Sequence, residues 1–114
     1  MTAGKHDFDM DQGSFFSMSL TISENGEPKN LGAYSARAKM RSVANSSETA
    51  DFTVNTTQAA SGILVMELGH GASTDLTPGY YLYDLEIFLG SAGSESYVER
   101  IIEGRINLRA EVTN

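Results

Sequence analysis

Three aspartates at alternate positions, Asp7, Asp9 and Asp11, form an oxygen-rich cluster of the kind that calcium binds. Their spacing does not suit an ion cage. An EF-hand loop needs glycine at its sixth position and glutamate at its twelfth, whereas counting from Asp7 gives Gln12 and Met18. Alternate positions on a strand also stand about 7 Å apart, too far to share one ion without a bend. Solvated acids protecting a strand edge are the simpler reading. His6 and His70 are the two imidazoles, and no serine lies in a Gly-x-Ser-x-Gly pattern, so Ser-His-Asp chemistry is not expected. Asp84 and Glu86 share a strand face and could pair as a glycosidase acid and base. They are better read as facing cations such as Arg105 and Arg109 across a hairpin. Gly69-His70-Gly71 leads into no long helix and no Lys-Ser or Lys-Thr, which a phosphate-cradling loop requires. With no cysteine there is no thiolate nucleophile and no sulfur-bound zinc. The expectation is therefore no catalytic residue, no metal site and no cofactor.

Charge narrows the partners. The net charge of −7 opposes nucleic-acid binding, whose affinity comes mainly from Lys and Arg displacing counterions. Arg37, Lys39 and Arg41 make a local basic stripe, which reads as a solvated strand face. Met1 leads into Lys5-His6-Asp7 rather than a basic and then apolar leader, so no signal peptide is expected. No apolar run approaches the roughly 20 residues that span a bilayer. These features predict a soluble protein made in the cytoplasm, with no membrane partner. At 114 residues, a single domain over 1–114 is expected.

The elements that must position these residues are strands, because the dominant periodicity is two. His6 to Asp11 alternates, as does Ser14 to Ile22 after the break at Gln12-Gly13. Asn25-Gly26 marks a reversal. Tyr34 to Arg41, Asp51 to Thr56, Ile63 to Leu68, Tyr80 to Leu89 and Val98 to Val112 complete the set. A helical turn fits Ala72 to Thr77, and Gly104 suggests a bulge or bend. The fold class is all-β, an antiparallel immunoglobulin-like β-sandwich of about seven to eight strands. Its core should hold Phe16, Met18, Leu20, Tyr34, Met40, Leu64, Met66, Tyr81, Tyr83, Leu85, Ile87, Ile102, Ile106 and Leu108. In Leu76-Thr77-Pro78-Gly79-Tyr80-Tyr81, Tyr81 is the candidate for a structural corner, its hydroxyl bonding backbone just upstream. Leu82, Phe88 and Ile101 are apolar on otherwise polar faces, which makes them candidate partner contacts.

The run Pro78-Gly79-Tyr80-Tyr81-Leu82-Tyr83-Asp84-Leu85-Glu86-Ile87, then Val98-Glu99-Arg100-Ile101-Ile102-Glu103-Gly104-Arg105-Ile106-Asn107-Leu108 and Glu111-Val112-Thr113, resembles small bacteriophage virion β-sandwich proteins. These include the amino-terminal domain of baseplate upper proteins and short tail-associated proteins. The resemblance extends over most of the chain and is weakest over Ser42 to Ala60. Ala110 stands where many relatives carry proline. It implies a non-enzymatic virion structural protein, tail- or baseplate-associated, made in the host cytoplasm and contacting other virion proteins in a homo-oligomeric or otherwise symmetric assembly. No catalytic residue carries over. A capsid-surface decoration protein is the alternative within that class. A carbohydrate-binding module using Tyr80, Tyr97 or His70 is the alternative outside it.

Overall fold

Alternating apolar and polar residues become strands almost throughout. The structure, a computed structural model, describes residues 4–91 and 93–110. In chain order these contain β1 (Gly4–Lys5), β2 (Phe8–Asp11), β3 (Phe16–Thr21), β4 (Ser23–Glu24), β5 (Glu27–Pro28), β6 (Ser35–Ser42), β7 (Thr49–Asn55), β8 (Ile63–Leu68), helix α1 (His70–Thr74), β9 (Gly79–Ser91) and β10 (Ser94–Arg109), with a 3-10 turn at Ala59–Ser61. No helix among the described residues is long and apolar enough to cross a membrane. Asn25 and Gly26, both at positive φ, close the small β4–β5 hairpin, as the Asn-Gly pair predicts.

The other eight strands form one curled sheet in the order β1-β10-β9-β6-β7-β8-β3, with β2 also on β10. β7 makes the curl. It pairs with β6 through Thr49 to Phe52 and with β8 through Thr53 to Asn55, so a single strand passes from one half of the sheet to the other. The two edges come within side-chain reach, and Phe8 of β2 stacks on Phe16 of β3 at 5.0 Å. Met40, Leu64, Met66, Tyr81, Tyr83, Leu85, Ile87, Ile106 and Leu108 are buried inside the curl. Phe16, Met18, Leu20, Tyr34 and Ile102 are half-buried and pack against that cluster. For Phe16, Met18 and Leu20 the cause is position. β3 ends the sheet, so its inward side chains have a neighbouring strand on one side only.

The sheet is mixed, a correction to the antiparallel expectation. β1 and β2 run parallel to β10, with Gly4 opposite Ile102 and Phe8 opposite Ile106. After β2 the chain crosses at residues 12–15 to the other half and pairs with β8, so the break at Gln12-Gly13 is a crossing and not a hairpin. Ser73, fully buried on α1, holds that crossing in place. Its Oγ accepts the Gly13 N–H at 3.0 Å and lies 3.0 Å from the Ser14 carbonyl oxygen. The single alternating run expected from His6 is divided into β1 and β2 at His6-Asp7, where the backbone lies against Gly104. A Cβ on Gly104 would sit 2.1 Å from the His6 carbonyl oxygen, so this glycine permits a close approach and marks no bulge. The register shifts of β10 fall instead between Glu95 and Tyr97 and between Arg100 and Ile102.

Candidate contact surface

β9 supplies the spine of the candidate surface. Its odd-numbered residues Tyr81, Tyr83, Leu85 and Ile87 face the core, which turns Tyr80, Leu82, Asp84, Glu86 and Phe88 to the outer face, between β6 and β10. Three successive rows cross that face. Arg37, Glu86 and Arg100 form the first, Lys39, Asp84 and Glu103 the second, and Arg41, Leu82 and Arg105 the third. The first two rows are knitted by charge. Arg37 Nε lies 2.9 Å from Glu86, Arg100 Nε lies 3.3 Å from Asp84, and Arg100 and Lys5 both reach Glu103. Burial raises the Asp84 carboxyl above its usual range, and the opposing pull of Arg100 only partly offsets it. The carboxylate pair thus does face cations, but Arg100 and Arg37 take the places expected of Arg105 and Arg109. Arg109 binds Asp11 at 2.8 Å from the β2 edge instead, and the Asp7 carboxylate accepts the Arg105 backbone N–H at 2.9 Å. Two of the three alternating aspartates are therefore committed to the β1–β2 edge.

The third row differs. Leu82 is 58% exposed, flanked by Arg41 and Arg105, in a depression of about 670 Å³ that also touches Lys39 and the acids Asp7, Asp84 and Glu103. Tyr80 and Val43, 52% and 59% exposed, continue the apolar surface beyond it, with the Val43 N–H donating to the Tyr80 carbonyl at 2.9 Å. The Arg105 guanidinium stacks over the Tyr80 ring at 4.8 Å.

The other two candidate contacts are not on this surface. Phe88 has outward register, yet only 7% of it is exposed, because the Arg37 guanidinium lies 4.6 Å above its ring and is held there by Glu86 and Glu95. Ile101 falls in the irregularity between Arg100 and Ile102, which turns it, half-buried, against the core. The two corrections have different origins: at Phe88 alternation gives the right side and a neighbour keeps water away, while at Ile101 the irregularity breaks the alternation itself.

Tyr81 is fully buried near the start of β9, and its hydroxyl donates to the Thr77 carbonyl at 2.8 Å. The Thr77 N–H in turn donates to the Glu48 carboxylate at 2.9 Å, tying the loop before β7 to the same corner. Burial first, then the negative charge of Glu48, pushes the Tyr81 phenol up to about 12. Tyr83 makes a second tie, donating to the His6 carbonyl at 2.6 Å, and burial followed by the charge of Asp7 pushes it up to about 12 as well. Sequence reasoning placed Tyr83 in the core but found no role for its hydroxyl, since the His6 backbone comes near it only through the parallel β1–β10 pairing.

The residues considered for sugar stacking do not converge. Tyr80 and Tyr97 lie opposite Asn107 and Leu89, which puts them near opposite ends of the β9–β10 ladder, about 30 Å apart at ~3.3 Å per residue. Tyr97 faces the Tyr34 ring at 6.0 Å, and His70 opens α1 as an exposed residue. No group of three or more His, Asp or Glu with the geometry to hold a metal ion occurs among the described residues.

Neither a protein-family model nor a curated protein sequence matches the chain. Among solved structures, an internalin-like protein of Listeria monocytogenes superposes with a TM-score of 0.40 at 10% identity, over 96% of this chain and 28% of that one. The chain therefore spans under a third of that protein, and a likeness this loose says nothing about activity.

Proposed function

We propose that this chain is a non-enzymatic structural protein of a bacteriophage virion, tail- or baseplate-associated, that joins other virion proteins through the outer face of β6, β9 and β10. The setting rests on the resemblance carried by 78–87 and 98–113. The contact role rests on one observation, the exposed Leu82 between Arg41 and Arg105, continuous with Tyr80 and Val43. Apolar side chains left in water beside guanidiniums that make no ion pair are what an interface core and its polar rim look like before the partner arrives.

The finer architecture we propose is an immunoglobulin-like sandwich. In that fold C, F and G form one sheet, and B, E and D belong to the other. β6, β9 and β10 follow the first order, and β3, β8 and the end of β7 follow the second. The corner hydroxyl of Tyr81 near the start of β9 fits the tyrosine found at the start of strand F.

The test is incorporation. Leu82→Asp should fold normally and be lost from purified particles, because a carboxylate would displace the apolar centre of the junction. Particles that carry the variant at the wild-type level would remove Leu82 from any virion interface. Hydrolysis of a polysaccharide by the purified protein, abolished by Asp84→Asn, would overturn the non-enzymatic reading.

A further inference from the structure

We infer that the row Arg41–Leu82–Arg105 is a docking site for an acidic, extended protein segment, in which a carboxylate is presented between the two guanidiniums beside an apolar side chain that covers Leu82. The inference rests on the contact role proposed above and names the chemistry of the partner.

Charge complementarity carries it. Of the eight Lys and Arg side chains, six have their charged group within 4.0 Å of a carboxylate: Lys5 at Glu103, Lys29 at Glu24, Arg37 at Glu86 and Glu95, Lys39 at Asp51, Arg100 at Asp84 and Glu103, and Arg109 at Asp11. The two whose guanidiniums have none within that distance among the described residues, Arg41 and Arg105, sit on either side of the same leucine, and the Asp7 carboxylate nearby is held by the Arg105 backbone N–H at 2.9 Å instead. Carboxylates are in excess in this chain, with a net charge of −7, so a shortage of acid does not explain the gap. The neighbouring rows show what is missing. On β9 the outward position has a cation on both sides in two rows, at Glu86 between Arg37 and Arg100 and at Leu82 between Arg41 and Arg105, so the same setting that holds an acid in the first row holds a leucine in the third. Arg105 is already drawn over Tyr80, the outward neighbour of Leu82 on β9, which restricts its side chain and lowers the entropy cost of an added contact.

The site selects against a neutral apolar strand, which would leave two guanidiniums poorly solvated at the junction. It also selects against a bare polyanion, which would leave Leu82 uncovered.

The experiment uses the full chain and a short synthetic peptide of alternating Glu and Leu, with a Gln-for-Glu peptide as control, followed by amide chemical shifts and titration calorimetry. The acidic peptide should shift the amides of Arg41, Leu82 and Arg105 and bind more weakly as salt rises. Arg41→Gln or Arg105→Gln should each weaken binding about three-fold, and the double variant about ten-fold. Leu82→Asp, which supplies a carboxylate internally, should abolish it. Equal binding of the Gln peptide, or no effect of the double variant, overturns the inference. So does equally tight binding at these amides by an oligonucleotide or by anionic vesicles, and so does salt-insensitive self-association of the chain through Leu82. If Leu82→Asp is lost from particles while Arg41→Gln/Arg105→Gln is retained at the wild-type level, the contact surface stands and the acidic partner does not.

Discussion

The two faces of β9 are built from the same strand and obey different rules. Inward, Tyr81, Tyr83, Leu85 and Ile87 are each buried to within a few per cent, as alternation alone demands. Outward, two apolar residues of the same register part company: Leu82 is open to solvent and Phe88 is not. At these four positions the inner face lies against the inside of the curl, so register decides burial. On the outer face, cover comes one side chain at a time, and a single arginine fixed by two carboxylates is enough to hide a phenyl ring.

The sharpest way to break this contrast is on the inner face. Leu85→Ala removes a fully buried side chain from the middle of the curl, where both flanking strands prevent collapse around the gap. It should cost about 2–5 kcal/mol in a chemical denaturation experiment. A cost below about 1 kcal/mol would mean that the inward register does not govern packing.

The two buried tyrosines add a test by pH. Their folded-state values are raised to about 12 from an ordinary 10, so the unfolded chain gives up protons first as pH climbs. Stability held below pH 10 should therefore be lost progressively between 10 and 12, by on the order of 1 kcal/mol for each tyrosine once solvent screening of the phenols is allowed for. Tyr81→Phe should cost about 1 kcal/mol at neutral pH through loss of the bond to Thr77. It should also remove roughly half of the alkaline loss. An unchanged alkaline slope in that variant would place the hydroxyl in water.

The inner face of β9, the strands β3, β6, β7, β8 and β9 and the Tyr81 corner were legible in the sequence because each depends on local spacing. Of the strand expected over Val98 to Val112, residues 111 and 112 lie outside the described residues. What was not legible depends on pairing partners. The parallel docking of β1 and β2 requires knowing that the chain crosses at residues 12–15. The bulge that turns Ile101 inward arises from register against β9, and the cover over Phe88 comes from Arg37, fifty-one positions away. The basic stripe shows the same limit: it read as one solvated face, yet Arg37 is a lid, Lys39 lies 3.6 Å from Asp51, and Arg41 has no carboxylate beside it. Nothing in the stripe itself separates these three.

Phe88 and Arg37 sharpen the outer-face half of the contrast. Phe88→Asp should destabilise the isolated chain by about 2 kcal/mol, since a carboxylate would be placed beneath a guanidinium lid in largely buried space. Arg37→Ala should cost about 1 kcal/mol and raise binding of a hydrophobic dye by exposing the ring. If Phe88→Asp leaves stability unchanged, the lid is open in solution and Phe88 regains its place among the surface contacts.

Leu82→Asp should have the smallest effect on folding, and the sign of that effect is informative. Leucine here contributes little to the core, because more than half of it is exposed, so its loss removes little burial. The aspartate that replaces it would stand between Arg41 and Arg105, repeating in the third row the pairing of a β9 acid with a flanking cation that Glu86 and Arg37 make in the first. Exposed cross-strand pairs contribute only a few tenths of a kcal/mol each, so stability should stay within about 0.5 kcal/mol of wild type, shifted upward if at all. Raising the salt concentration should erase any gain, since both guanidiniums face solvent. A loss above about 1 kcal/mol would show that Leu82 supports the fold, and a particle-incorporation defect in that variant could then no longer be assigned to a contact. A neutral or slightly positive change leaves the leucine with no structural task within the chain, which is the condition for reading it as a surface kept apolar for another protein.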